Sequence, residues 1–93
     1  MSEDRIICPH RRVAARVVSG QALILDPKTD GLQRLNEAGS FIWALIAERT
    51  HTASDIREAV LQSFEVSPED ATADVAKFLE NLAAKELIQY SSN

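Results

Sequence analysis

The chain has 93 residues, of which 45% are apolar and 26% are charged, and its formal net charge is −4. This length allows one domain with one core. The longest apolar run, residues 41–47, is too short to span a membrane, and no apolar segment of a signal peptide follows the N-terminus. A single cysteine excludes an intramolecular disulfide, so we expect a cytoplasmic protein.

The charge is unevenly distributed along the chain. Residues 1–36 contain six Lys/Arg and four Asp/Glu, whereas residues 37–93 contain four Lys/Arg and ten Asp/Glu. Nucleic-acid affinity comes largely from clustered Lys and Arg. The acidic C-terminal part therefore argues against a nucleic-acid partner and is more compatible with a peptide that carries some basic residues.

The first third of the chain has the composition of β-strands. Apolar and β-branched residues flank Ser19 and Gly20, which form a two-residue hairpin signal. The following segment DPKTDG is rich in turn residues. We therefore predict three strands, near residues 13–18, 21–25 and 32–35, the third of them an edge strand.

Helical spacing begins after Asn36, which is a suitable N-cap. Thr52 with Asp55 resembles a capping box, and Ser67 followed by Pro68 is a strong helix start. The third helix is predicted to run to about residue 85. In the first helix, the predicted apolar face consists of Ala38, Phe41, Ile42, Leu45 and Ile46. Three strands followed by three helices predict an α+β, winged-helix-like domain: a three-stranded antiparallel sheet followed by a three-helix bundle.

The domain is predicted to span residues 13–88, with a flexible N-terminal arm at 1–12 and a C-terminal tail at 89–93. Cys8, His10 and His51 are the only cysteine and histidines. A structural zinc site needs four ligands, and a nucleophile needs an oriented base. We therefore expect a protein that is not an enzyme and has no metal or cofactor.

The predicted edge strand suggests an interaction module. Its unpaired N–H and C=O groups can accept a strand from a peptide, with the third helix as the other wall of a groove. The same edge could also be solvated or pair with a second copy of the chain, and the pattern alone does not separate these readings. DNA binding is the other alternative, but neither the second nor the third helix has a basic face.

The chain resembles the PqqD-like family, the small precursor-peptide recognition elements of ribosomally synthesised natural products. The resemblance covers roughly residues 13–88. It rests on LILDPKTDGLQRLNEAGSFIWALI and TASDIREAVLQSFEVSPEDATADVAKFLENLAAKELI. Two features depart from the family: Glu86 stands where a glycine usually ends the last helix, so that helix is expected to end differently. The tyrosine-containing segment of the dedicated quinone-cofactor proteins is also absent.

The resemblance implies a non-catalytic chaperone that binds the leader of a precursor peptide and presents it to a maturation enzyme, often a radical SAM protein. The leader would add as a strand and lie along the third helix. Val75 and Phe78 could instead pack in the core without touching a ligand. Asp74 could instead be exposed to solvent without binding the peptide. The peptide-binding residues that the resemblance implies are the backbone of Leu32, Gln33, Arg34 and Leu35 and the side chains of Ala71, Asp74, Val75 and Phe78.

Two other functional interpretations of the sequence remain open. One is a winged-helix regulator that binds DNA. The other is a structural subunit that forms a homodimer through its free strand edge. No membrane or nucleic-acid partner is expected in the leading reading.

Overall fold

A computed structural model describes residues 5–91 of the chain. The α+β fold, with its three-stranded antiparallel sheet and three helices, is confirmed. No helix among residues 5–91 is both long and apolar enough to cross a bilayer. In chain order the elements are β1 (Ile7–Pro9), β2 (Ala14–Val18), β3 (Gln21–Leu25), β4 (Leu32–Arg34), α1 (Glu37–Ala47), α2 (Ala53–Ser63), α3 (Pro68–Ala84) and β5 (Ile88–Tyr90).

The strands β2, β3 and β4 form an antiparallel meander with β3 in the centre. Ser19 and Gly20 both have positive φ, 53° and 81°, which is the pattern of a type I′ hairpin turn. On β3, Ala22 and Ile24 are fully buried and face the helices. Successive side chains of a strand alternate between the two faces. Leu23 and Leu25 therefore lie on the opposite face of the sheet.

The three predicted helix starts are confirmed. Asn36 Oδ1 accepts a 2.7 Å hydrogen bond from the Gly39 N–H. Thr52 and Asp55 form a reciprocal capping box at 3.0 and 3.2 Å. The backbone hydrogen bond from Thr52 lowers the pKa of Asp55. Ser67 caps α3 in the same manner as Asn36 caps α1.

The buried face of α1 is rotated from the predicted one. Gly39, Ser40 and Trp43 are buried, Ala38 is exposed, and Phe41 is only partly buried. The prediction was wrong here because it followed apolar residues alone, while two small or polar residues line the contact with the sheet. Ser40 Oγ accepts from the Ala22 N–H at 2.8 Å and donates to the Leu35 carbonyl at 3.2 Å. This buried hydroxyl joins α1 to β3 and to the residue that follows β4.

The ends of the domain also differ from the prediction. Ile7–Pro9, inside the predicted flexible arm, pairs antiparallel with Ile88–Tyr90, which extends into the predicted tail. Ile7 is fully buried, and its N–H donates to the His51 carbonyl at 2.9 Å. Each strand has three residues and its partner lies some 80 positions away, so no local pattern announces either. Residues 1–4 and 92–93 lie outside the described part of the chain.

Helix α3 ends in a Schellman motif even though glycine is absent. The Leu87 N–H bonds the Leu82 carbonyl at 2.9 Å, and the Glu86 N–H bonds the Ala83 carbonyl at 3.0 Å. Glu86 itself takes the left-handed conformation, with φ at 59°. The expectation that this helix ends differently from a glycine-capped one is therefore wrong, and Glu86 is held in a conformation that disfavours a side chain.

This strain leads to a stability prediction. Glu86→Gly should melt roughly 4–8 °C above Glu86→Ala, because both variants lose the carboxylate and only glycine is relaxed at positive φ. Differential scanning calorimetry of the two variants measures this difference. Equal melting temperatures would show that the left-handed backbone at residue 86 costs no more than the extra unfolded-state entropy of glycine.

Candidate functional site: the free edge of strand β4

Strand β4 lies at the edge of the three-stranded sheet, with β3 on one side only. The Leu35 N–H donates to the Ala22 carbonyl at 3.0 Å, and the Gly31 carbonyl accepts from the Asp26 N–H at 2.9 Å. In an antiparallel pair, inward-bonded residues alternate with outward-facing ones. Gln33 therefore bonds inward, toward β3, and the backbone groups of Leu32 and Arg34 point outward.

Only part of the predicted backbone set is thus available to a peptide. The N–H of Leu35 is used by β3, and its carbonyl accepts from Ser40 Oγ and from Gln21 Nε2 at 3.3 Å. Gln33 is paired inward in the same register. Leu32 and Arg34 are the two residues whose N–H and C=O groups can bond an added strand.

Helix α3 runs beside this edge in the opposite direction. Gly39 lies between the two elements, since a Cβ built there would be 3.3 Å from Leu35 Cβ and 3.2 Å from Phe78 Cε1. Seven residues after Phe78, at the C-cap of α3, Lys85 Nζ donates to Gln33 Oε1 at 3.3 Å. Helix α3 packs mainly on α2 and β5 rather than on β4. We call the space between the near face of α3 and the free edge of β4 the groove.

The helical face that borders this groove follows from those two contacts. Residues spaced by three and four positions share one face of a helix. Steps of three or four positions along α3, taken backward and forward from Phe78, reach four residues on this face. We call these four residues the groove stripe. The groove stripe consists of Asp74, Phe78, Asn81 and Lys85.

The structure separates the four predicted α3 residues into two pairs. Ala71 and Val75 are 1% and 4% exposed and belong to the core, so their side chains offer almost no surface to a ligand. Asp74 is exposed and Phe78 is half-buried, both on the groove stripe. The structure therefore favours the core interpretation for Val75 and leaves Asp74 and Phe78 as candidates.

Sequence analysis missed the C-terminal half of the groove stripe. Asn81 and Lys85 are both exposed, and Lys85 reaches across to β4. The signal that could have found them is the 3-4-3-4 spacing continued from Phe78. Sequence analysis did not use this spacing because it followed only the apolar positions along the helix.

The outer face of the sheet, away from the helices, is apolar and open. Leu25 and Leu32 are register partners on that face and are 40% and 59% exposed. Arg16 and Arg34 carry positive charge beside them. A strand added at β4 would extend this face.

A pocket of about 300 Å³ lies at the end of the groove, beside the C-terminus of α3. The Lys28 ammonium lies 2.9 Å from a carboxylate oxygen of Glu86 and lowers the pKa of that carboxyl. We call this site the basic pocket. It is lined by His10, Arg11, Arg12, Pro27, Lys28, Lys85 and Glu86.

The cysteine and histidines do not form a common site. Cys8 is a free thiol on β1, and His51 Nε2 lies 2.6 Å from Glu48 Oε1 near the start of α2. Within residues 5–91, no three His, Cys, Asp or Glu side chains are grouped so as to hold a metal ion.

Two solved structures resemble this chain in fold. A structure described as "TbiB1 in Complex with the TbiA(beta) Leader Peptide" has a TM-score of 0.81 at 24% identity, covering 92% of this chain and 99% of that one. Another, "Lasso peptide synthetase B1 complexed with the leader peptide", has a TM-score of 0.77 at 17% identity, covering 89% and 96%.

These two structures share the fold of this chain. No curated protein sequence matches it. The family described as "Coenzyme PQQ synthesis protein D (PqqD)" matches residues 21–88, which is most of the chain. The chain therefore belongs to the PqqD family.

Proposed function

We propose that this protein is a non-catalytic peptide chaperone that binds the leader of a ribosomally synthesised precursor by strand addition and presents it to a modifying enzyme. The observation that carries the proposal is the free edge of β4 facing the groove stripe of α3. Two proteins of the same fold are described as complexes with leader peptides, which supports the same role here.

Strand addition at β4 follows from the backbone geometry. Leu32 and Arg34 offer two N–H and two C=O groups, which give affinity without reading the peptide's sequence. Alternate side chains of the added strand would point toward the helices and toward the outer face. On the helix side they meet Phe78, whose half-buried ring supplies apolar area for specificity.

The partner enzyme is a modifying enzyme of the precursor, and a radical SAM protein is one class that the resemblance implies. The proposal includes a cytoplasmic location and a winged-helix-like arrangement of the helices beside the meander. A homodimer paired through β4 would use the groups that the leader needs. Leader binding and such a dimer would therefore exclude each other.

DNA binding is not supported. Of the groove stripe and its neighbours on α3, only Lys77 and Lys85 are basic, and Glu69, Asp70 and Asp74 in the first two turns are acidic and exposed. A phosphate backbone would be repelled by that end of the helix. The similar structures described above hold peptides.

A peptide titration tests the proposal. The N-terminal halves of short open reading frames beside the gene are synthesised and added to the isotope-labelled protein, and amide shifts are followed. We expect shifts concentrated on β4 and along the groove stripe. Salt-sensitive binding to neighbouring DNA, with no shift from any peptide, would overturn the proposal.

The side-chain part of the groove has its own prediction. Phe78→Ala should weaken peptide binding by roughly tenfold or more, since the ring supplies the apolar contact, whereas Asp74→Ala should weaken it only a few-fold. Isothermal titration calorimetry with the peptide found by the titration measures both.

Phe64→Ala is the matched control for the Phe78 variant. Phe64 is also half-buried and packs edge-on against Phe41, with ring centroids 5.2 Å apart, and it does not belong to the groove stripe. It should lose stability without losing affinity. If both phenylalanine variants fold and bind like the parent, the apolar groove is not the binding site.

A further inference from the structure

The basic pocket is built by three separate segments of the chain. Residues 10–12 follow β1, residues 27–28 lie in the β3–β4 turn, and residues 85–86 end α3. The His10 N–H donates to the Leu87 carbonyl at 2.9 Å, and the Lys28 N–H donates to Asp26 Oδ1 at 2.9 Å. These bonds fix the backbone from which the pocket side chains of the first two segments extend.

The residues that line the pocket carry an excess of positive charge. Four permanent cations, Arg11, Arg12, Lys28 and Lys85, surround one carboxylate, in a chain whose formal net charge is −4. Glu86 forms an ion pair with Lys28, and His10 also interacts electrostatically with the Glu86 carboxylate. Within residues 5–91, neither Arg11 nor Arg12 forms an ion pair. The negative end of the α3 dipole stabilises a cation beside the end of the helix. It does not explain why two arginines from another segment also lie there.

The pocket continues the peptide groove. Lys85 is the last residue of the groove stripe and also a wall of the pocket, and it donates to Gln33 on β4. A peptide lying along β4 would therefore reach the pocket at the Leu32 end of the strand, where Lys28 of the β3–β4 turn and Lys85 both line it.

The other end of the groove has the opposite charge. Asp74 begins the groove stripe, and Glu69 and Asp70 lie in the turn before it, all exposed. The groove thus runs from an acidic end to a basic end along α3. A bound strand with complementary charges has one favoured direction, because the reversed strand would place like charges together.

We infer that the basic pocket binds the carboxylate of an Asp or Glu side chain of the leader peptide, and that this contact sets the register and direction of the added strand. The inference rests on the proposed function, since it assumes a peptide on β4. It identifies the ligand as a leader with an apolar strand segment and an acidic residue close to one end of that segment.

A display library of peptides with twelve random positions and a constant C-terminal linker tests this. The linker removes the free C-terminal carboxylate near the random region, so that any selected acid is a side chain. We expect enriched peptides to carry Asp or Glu at a fixed distance from their apolar residues. Replacing that Glu by Gln in a C-terminally amidated synthetic copy should weaken binding roughly three- to tenfold at low salt.

Charge reversal on the protein gives the matching measurement. Lys85→Glu and Arg12→Glu, on two different segments, should each abolish the acidic preference, and a Glu→Lys peptide should regain affinity for them. Lys77→Glu is the control, because this exposed lysine on α3 lies outside the basic pocket and the groove stripe.

The outcomes separate the two proposals. Peptides that enrich and shift β4 amides without an acidic preference would overturn the pocket inference and leave the leader groove intact. A library in which no peptide enriches would overturn strand addition itself, and the pocket inference with it. A preference for acid that Lys77→Glu removes as fully as Lys85→Glu would show a general charge effect and overturn the pocket.

Discussion

Ile7→Ala is expected to lower the free energy of unfolding by about 3 kcal/mol, within the range for truncating a buried aliphatic side chain. Ile7 is fully buried in the core, and its strand pairs with β5 after the last helix. For a domain of this size the melting temperature should fall by roughly 12–24 °C. Urea unfolding followed by circular dichroism gives the free energy directly.

Ile6→Ala is the matched control for this loss. Ile6 is only half-buried and makes an isolated bridge to Thr52. The strand alternation turns its side chain away from the face that Ile7 fills. Its truncation should cost well under half as much. If the two variants unfold alike, with small losses, the N-terminal segment is peripheral to the core, as a flexible arm would be.

The sequence predicted those parts of the fold whose causes are local. The Ser19-Gly20 turn needs positive φ at both positions, and the three N-caps each act within one helical turn. The pairing of β1 with β5 has no local cause. It arises because the core would otherwise expose Ile7 and Ile88, which are 0% and 5% exposed in the folded chain.

The candidate site could likewise be predicted only in part. The edge strand and Phe78 follow from patterning and resemblance together. Sequence analysis did not show that Ala71 and Val75 are buried, because which face of α3 is covered depends on where α2 packs. Val75 lies beside Ala53 and Arg57 of α2, a neighbour that its own spacing does not reveal.

The rotated face of α1 illustrates the same limit. Gly39 carries no apolar signal, yet it is buried because Leu35 and Phe78 approach it from two sides. A glycine lets neighbouring side chains approach its backbone because it has no side chain of its own, and an apolar pattern does not register this. Apolar periodicity therefore placed the α1 helix correctly and its buried face incorrectly.

Leu32→Pro is expected to weaken leader binding by at least tenfold while leaving the fold nearly unchanged. The Leu32 N–H points away from β3, so proline removes a bond that only an added strand would make. Proline is tolerated on edge strands for this reason. Calorimetric titration with the leader peptide measures the affinity, and thermal unfolding measures the fold.

Two variants show whether the loss comes from the backbone. Leu32→Ala keeps the N–H and removes the exposed side chain, so it should bind much more tightly than Leu32→Pro. Gln33→Pro removes an inward bond to β3 and should destabilise the sheet itself. If Leu32→Pro binds like Leu32→Ala, the peptide does not pair with this edge. The affinity would then have to come from side chains alone, and a peptide held only by side chains has no reason to lie parallel to β4.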